Sequence, residues 1–224
     1  MNDIQPSFPG ASTALTLAGG AGTIEAAIEL PDADARAGVA IVCHPHPLQG
    51  GTMHNKVVTM VSRSLVELGI ATVRFNFRGV GASAGEHDEG RGETDDVIAI
   101  GEWLRRERPH DALWLAGFSF GSYIALRAAK RLGAKQLIQI APPVGRWAFE
   151  DIDLPECPWL VVQGEADEVV DPNAVYAWIA SLAKPPTLVR MPDTSHFFHR
   201  RLMDLRGAVK NGVRDNLPPP RDAA

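Results

Sequence analysis

Apolar residues along the chain fall into two alternating kinds of segment. Short aliphatic runs, such as Val-Ala-Ile-Val-Cys over 39–43, carry no polar face, which marks strands covered on both sides. In longer segments apolar positions recur every three or four residues. Val57, Met60, Val61, Leu65 and Leu68 predict a helix over 55–68, which Gly69 ends. The pattern repeats, with strands predicted over 71–76, 113–116, 136–140, 159–162 and 187–189, and helices over 94–107, 122–131, 173–182 and 198–209. Asp171 stands where it can cap the helix over 173–182, with Pro172 in its first turn. Two earlier runs, 14–17 and 23–30, flank Gly19-Gly20 and read as a hairpin. Strands alternating with helices of this length require crossovers, and crossovers imply an α/β fold with a mainly parallel sheet covered on both faces. The first dozen residues and 218–222 read as loose ends. No linker or repeat divides the rest, so one domain is expected over 1–224.

Composition narrows the function. The chain has 224 residues, enough for one sizeable core, and 22 basic against 27 acidic residues give a formal charge of -5. That field offers nothing to nucleic acid or to an anionic membrane surface. No apolar run is long enough to span a bilayer, and the N-terminus lacks the pattern of a secretory signal. With Cys43 and Cys157 as the only cysteines, both read as free thiols, a soluble cytoplasmic protein is expected. No cofactor is expected either. The Gly79-Val80-Gly81 segment follows a strand, but no helix starts there, and no lysine-bearing phosphate loop occurs.

The pattern Gly-X-Ser-X-Gly occurs twice, at Gly81-Ala82-Ser83-Ala84-Gly85 and at Gly117-Phe118-Ser119-Phe120-Gly121. A serine nucleophile needs a tight strand-to-helix turn, glycines where backbones pass closely, and a helix N-terminus aimed at the site. Ser119 lies between a predicted strand and a predicted helix. Ser83 precedes a polar, glycine-punctuated loop and is read as structural. Ser119 needs a base, and the base needs an orienting carboxylate, both from later strand ends. His196 follows the last strand and is the expected base, with His199 on a helix surface beyond it. Among Glu165, Asp167, Glu168 and Asp171, Asp167 has the reach to be the acid. Asp171 is the reserve and Glu168 is expected to face solvent. The oxyanion of an acyl-transfer intermediate calls for two backbone N–H groups. Phe120 supplies one and the loop over 44–51 the other, with His46 first and Leu48 second, since Pro45 and Pro47 cannot donate. His44 is expected to bond within that loop. His44 and His46 lack a third ligand by spacing, so no metal site is expected.

Taken together, His44-Pro45-His46-Pro47 with Gly50-Gly51, the run from Phe75 to Ser83, the Ser119 pentapeptide, Gly164-Glu165-Ala166-Asp167 and Ser195-His196-Phe197-Phe198 resemble the α/β-hydrolase superfamily. The likeness runs from about Leu15 to Val209 and is nearest to small, lid-poor bacterial members of the dienelactone-hydrolase-like and esterase-like kind. It implies an eight-stranded, mostly parallel sheet with one antiparallel strand near the start, and chemistry on carboxylic esters through Ser119, Asp167 and His196. Dienelactone hydrolases proper carry cysteine where this chain has Ser119, so the likeness does not extend to their substrates. Many relatives insert a helical cap where this chain has only residues 141–158, so no substantial cap is expected. Phe118 and Phe120, with Trp147, Phe149 and Ile152, would then wall a small acyl site, or else close the core or a homodimer interface. The expected activity is hydrolysis of an ester or thioester, with a small acyl compound as partner. The competing reading is a non-catalytic scaffold on the same fold.

Overall fold

The computed structural model describes residues 5–221. The expected hairpin is β1 (Thr13–Gly19) and β2 (Gly22–Glu29), paired antiparallel. Then come β3 (Gly38–Cys43), α1 (Lys56–Val66), β4 (Ala71–Phe75), α2 (Arg91–Glu107), β5 (Ala112–Phe118), α3 (Phe120–Ala129), β6 (Gln136–Ile140), β7 (Trp159–Gly164), α4 (Pro172–Ser181), β8 (Thr187–Met191) and α5 (Leu202–Gly212). All eight strands form one sheet in the order β1-β2-β4-β3-β5-β6-β7-β8. Only β2 runs against the rest, pairing antiparallel with both β1 and β4.

Alternation along the central strands explains their unbroken apolar sequence. In β3, Val39, Ile41 and Cys43 join the core under α2, α3 and α4, while Ala40 and Val42 join the core under α1 and α5. Leu113 and Leu115 against Trp114, Ala116 and Phe118 divide β5 in the same way. A strand with helices on both faces has no place for a polar side. Because every strand from β3 to β8 is parallel, their C-terminal ends share one edge. There the loops carrying Ser119, Asp167 and His196 meet.

Three expectations need correction. The ends carry specific bonds: Phe8 N–H donates to Glu107 and Trp103 Nε1 to the Pro6 carbonyl, while Ala37 N–H donates to Pro219 O and Arg221 N–H to Ala35 O. Residues 1–4 and 222–224, also expected to be loose, lie outside the described residues. The last helix starts at Leu202 rather than at 198, because Phe198 (φ 53°) and Arg200 (φ 60°) adopt left-handed backbone that no helix accepts. His199 therefore lies exposed in turns ahead of the helix rather than on it. The helix α2 starts three residues early, since buried Glu93 accepts from the N–H groups of Asp88 and Gly90 and so closes its first turn.

Candidate active site

Ser119 occupies the turn from β5 into α3 with φ 51° and ψ -121°, a conformation that costs an L-residue free energy. The flanking glycines make that turn possible. A Cβ on Gly117 would come within 2.2 Å of Gly121 O, and one on Gly121 within 2.4 Å of Cys43 O and His44 O. The hydroxyl projects above the sheet edge, and Ser119 Oγ lies 3.1 Å from His196 Nε2.

His196 is buried on the loop after β8, and its Nδ1 lies 2.8 Å from Asp167 Oδ2. The Asp167 carboxylate is held from four sides. Oδ1 accepts from the N–H groups of Val169 (2.9 Å) and Val170 (2.7 Å), and Oδ2 accepts from Gln163 Nε2 (3.1 Å) and from the imidazole. Burial pushes the Asp167 pKa up, but the bonds from His196, Val170 and Val169 outweigh it and hold the group below its usual 3.8. An ionised carboxylate only accepts, so Nδ1 carries the imidazole proton and Nε2 is left to accept from Ser119. The acid loop and the histidine loop are also joined by backbone, through Glu165 N–H to Met191 O and Ala166 N–H to Thr194 O. Asp171 sits apart, capping α4 by accepting from Asn173 N–H at 2.9 Å.

The loop after β3 forms the other wall. Neither His46 N–H nor Phe120 N–H, the first of α3, finds an acceptor among the described residues. Both residues line, with Ser119, Gln49, Pro143, Arg146, Trp147 and Val169, a pocket of about 330 Å³. Leu48 N–H, the alternate donor, is spent on His46 Nδ1 at 3.2 Å.

His44 supports this loop from beneath. Its Nδ1 reaches Pro45 O at 2.6 Å and its Nε2 accepts from Phe77 N–H at 3.0 Å. Burial pushes the imidazole down from 6.5 to about 4 despite the bond to Pro45 O. The unfolded chain therefore takes up a proton as pH falls below 6.5, while the folded chain refuses it until about 4. Stability carried by neutral His44 is complete above pH 6.5 and is lost through this window, about 3 kcal/mol in all. Denaturant titrations between pH 7 and 4 are expected to show a shallower pH slope for His44→Gln, whose amide oxygen can still accept from Phe77. An unchanged slope would show that His44 does not carry the effect.

Several placements depart from the sequence reading. Phe118, expected on the substrate wall, is only 1% exposed and lies beneath the loop that carries His196, its ring 5.0 Å from the His196 ring, because it points to the α1/α5 face of β5. Phe149 packs between Tyr123 and Trp178 inside the other core. Trp147 alone of the three lines the pocket, its ring 4.9 Å from that of Phe120. Glu168 is exposed, as expected, and in addition accepts from His196 N–H at 3.1 Å. Ser83 donates to Asn76 O at 2.6 Å and accepts from Glu25 N–H at 2.9 Å, so its pentapeptide braces the loop after β4. Sequence reasoning missed Gln163 and the group in which the His46 ring lies 4.8 Å from that of His87, itself 2.8 Å from buried Glu93. Nothing in the spacing of 46, 87 and 93 signals that meeting. Among the described residues no three His, Cys, Asp or Glu side chains are grouped to hold a metal ion. No helix there is long and apolar enough to cross a membrane.

Comparison with known proteins places this geometry. The model of the "Alpha/beta hydrolase domain" family matches residues 40–211. The chain is similar to the crystal structure of XC6422 from Xanthomonas campestris, described as an α/β serine hydrolase without a lid. Identity is 59%, over 97% of this chain and 100% of that one, with a TM-score of 0.94. An α/β serine hydrolase homologue from Coxiella burnetii is 43% identical over 92% of this chain and 100% of that one, with a TM-score of 0.89. An uncharacterised protein of Rickettsia prowazekii is 32% identical over 77% of each chain. With the family model covering most of its length and residues 141–158 forming no helix over the site, this chain belongs to the α/β-hydrolase family, as one of its lid-poor members.

Proposed function

We propose that the protein is a serine hydrolase that cleaves a carboxylic ester or thioester through an acyl-enzyme, with Ser119, His196 and Asp167 as its catalytic residues. The observation that carries this reading is the unbroken line of bonds from Asp167 Oδ2 through His196 to Ser119 Oγ, ending on an open pocket. Ser119 Oγ attacks the carbonyl carbon while its proton passes to His196 Nε2. The N–H groups of Phe120 and His46 receive the oxyanion. As the tetrahedral intermediate collapses, His196 gives that proton to the departing oxygen or sulfur, and the acyl group stays on Ser119. Water then attacks the acyl carbon, His196 takes its proton, and the acid leaves as Ser119 regains the proton. Asp167 stays ionised throughout and stabilises the imidazolium.

An alkyl fluorophosphonate tests the reading, because it phosphonylates only a serine that a base can deprotonate. Peptide mass mapping is expected to find the adduct on Ser119. Folded protein without an adduct would favour a scaffold, and an adduct on Ser83 would move the chemistry to the other pentapeptide.

A further inference from the structure

Two openings flank Ser119, and the path of the proton distinguishes them. One, of about 190 Å³, is lined by His196 and Phe197 together with Gly50, Gly51 and Asn55. The other, of about 330 Å³, is lined by Phe120, Pro143, Arg146 and Trp147 and does not include His196. The group that departs must receive a proton from His196 Nε2, so it lies on the His196 side. The acyl chain then extends into the opening on the far side. That opening sits near the lower end of the size range of small-molecule sites, which suits a short chain.

Its chemistry is asymmetric. Phe120, Pro143, Trp147 and Val169 give apolar walls, His46 and Gln49 are neutral polar neighbours, and Arg146 is the one formal charge. No carboxylate lines it. The Arg146 guanidinium is exposed and has no ion-pair or hydrogen-bond partner among the described residues. Arg78, Arg190 and Arg201 are engaged with Asp96, Glu165 and Asp204, while Arg200, also without a partner among the described residues, lines a separate opening with Phe197 and His199.

The backbone under Arg146 is fixed. Arg146 N–H donates to Pro143 O at 3.1 Å, and Gly145 takes φ 80°, closing a tight turn that needs glycine at its third position. Trp147 anchors that turn by packing on Phe120, Tyr123 (5.2 Å) and His46 (5.9 Å). A cation held by a glycine turn in the wall of a small opening that is part apolar and part polar is suited to an anion carried on the acyl group.

We propose that the substrates are esters or thioesters of short dicarboxylic acids, with Arg146 binding the free carboxylate of the acyl group. This rests on the serine-hydrolase reading and names the substrate class of that site. The test compares monoethyl succinate with ethyl succinamate, which replaces the carboxylate by a neutral amide of the same shape, by following ethanol release. A third ester, carboxymethyl butyrate, carries its carboxylate on the alcohol side. Monoethyl succinate is expected to exceed ethyl succinamate in kcat/KM by about tenfold, mostly through KM. That preference is expected to vanish in Arg146→Ala and to persist in part in Arg146→Lys, which keeps the charge but not the fork. Carboxymethyl butyrate is expected to be insensitive to Arg146→Ala. Turnover of ethyl succinamate through Ser119 with no preference for the carboxylate, or a preference that survives Arg146→Ala, would overturn this inference alone. No turnover of any of these esters, together with no fluorophosphonate adduct at Ser119, would overturn both readings.

Discussion

Ser119→Ala is expected to lower kcat for any ester the protein turns over by about 10⁴-fold or more. The size follows from what remains. Without the hydroxyl, His196 keeps its bond to Asp167 and the oxyanion donors keep their places, so the variant still binds and still polarises a carbonyl. It can catalyse only direct attack by water, which has no position prepared for it. Steady-state rates on a short-chain ester, with thermal melting to show that the fold is intact, check this. Methyl for hydroxymethyl leaves the φ 51° turn as it is, since the glycines at 117 and 121 set that turn and not the serine oxygen. Activity within an order of magnitude of wild type would remove Ser119 from the chemistry.

Asp167→Asn is expected to cost about 10⁴-fold in kcat, nearly as much as loss of the nucleophile. The orientation of the new amide decides this. Its oxygen would keep the N–H bonds of Val169 and Val170, because those donors fix that side of the group. The NH₂ then takes the place of Oδ2, against His196 Nδ1. A donor there forces the imidazole proton onto Nε2, so the ring presents N–H to Ser119 and cannot take its proton. The same NH₂ faces the Gln163 donor, which loses this acceptor and keeps Gly164 O. Asp171→Asn is the control. Asparagine caps a helix as well as aspartate does, so activity and melting temperature are expected to stay near wild type. Kinetics on the two variants side by side decide between the carboxylates, and the reverse ranking would exchange their assignments.

Much of this arrangement is legible in the sequence, because the residues that carry it sit at places local rules identify. Ser119 follows a run that can only be a buried strand and precedes a helical period. His196 and Asp167 each come a few residues after such a run. The parallel order of β3 to β8 brings those strand ends to one edge without any further signal. Asp171 declares its capping role through Pro172. What the sequence leaves unread depends on which face of a strand a side chain takes, or on partners far apart in the chain. Phe118 beside Ser119 looks like a substrate wall until the sheet's alternation turns it toward α5. Glu168 reaches back to His196 N–H, and His87 meets His46, through loops whose paths no periodicity describes. The start of α5 differs from the expected one for a local reason of another kind. Left-handed backbone at Phe198 and Arg200 is imposed by the turns that carry the histidine loop.

The bare crossing between β6 and β7 bears on kinetics as well as on shape. Residues 141–158 hold turns and one isolated bridge between Val144 and Trp147, with prolines at 142 and 143 that stiffen the segment at the pocket rim. An enzyme that must swing a cover aside spends part of each cycle closed, responds to oil–water surfaces, and slows as the medium thickens. With nothing to swing, the proposed attack on a dissolved ester needs no opening step, and Ser119 stays open to solvent. For the proposed ester hydrolysis, saturation curves are expected to keep one shape whether the ester is dissolved or dispersed as droplets.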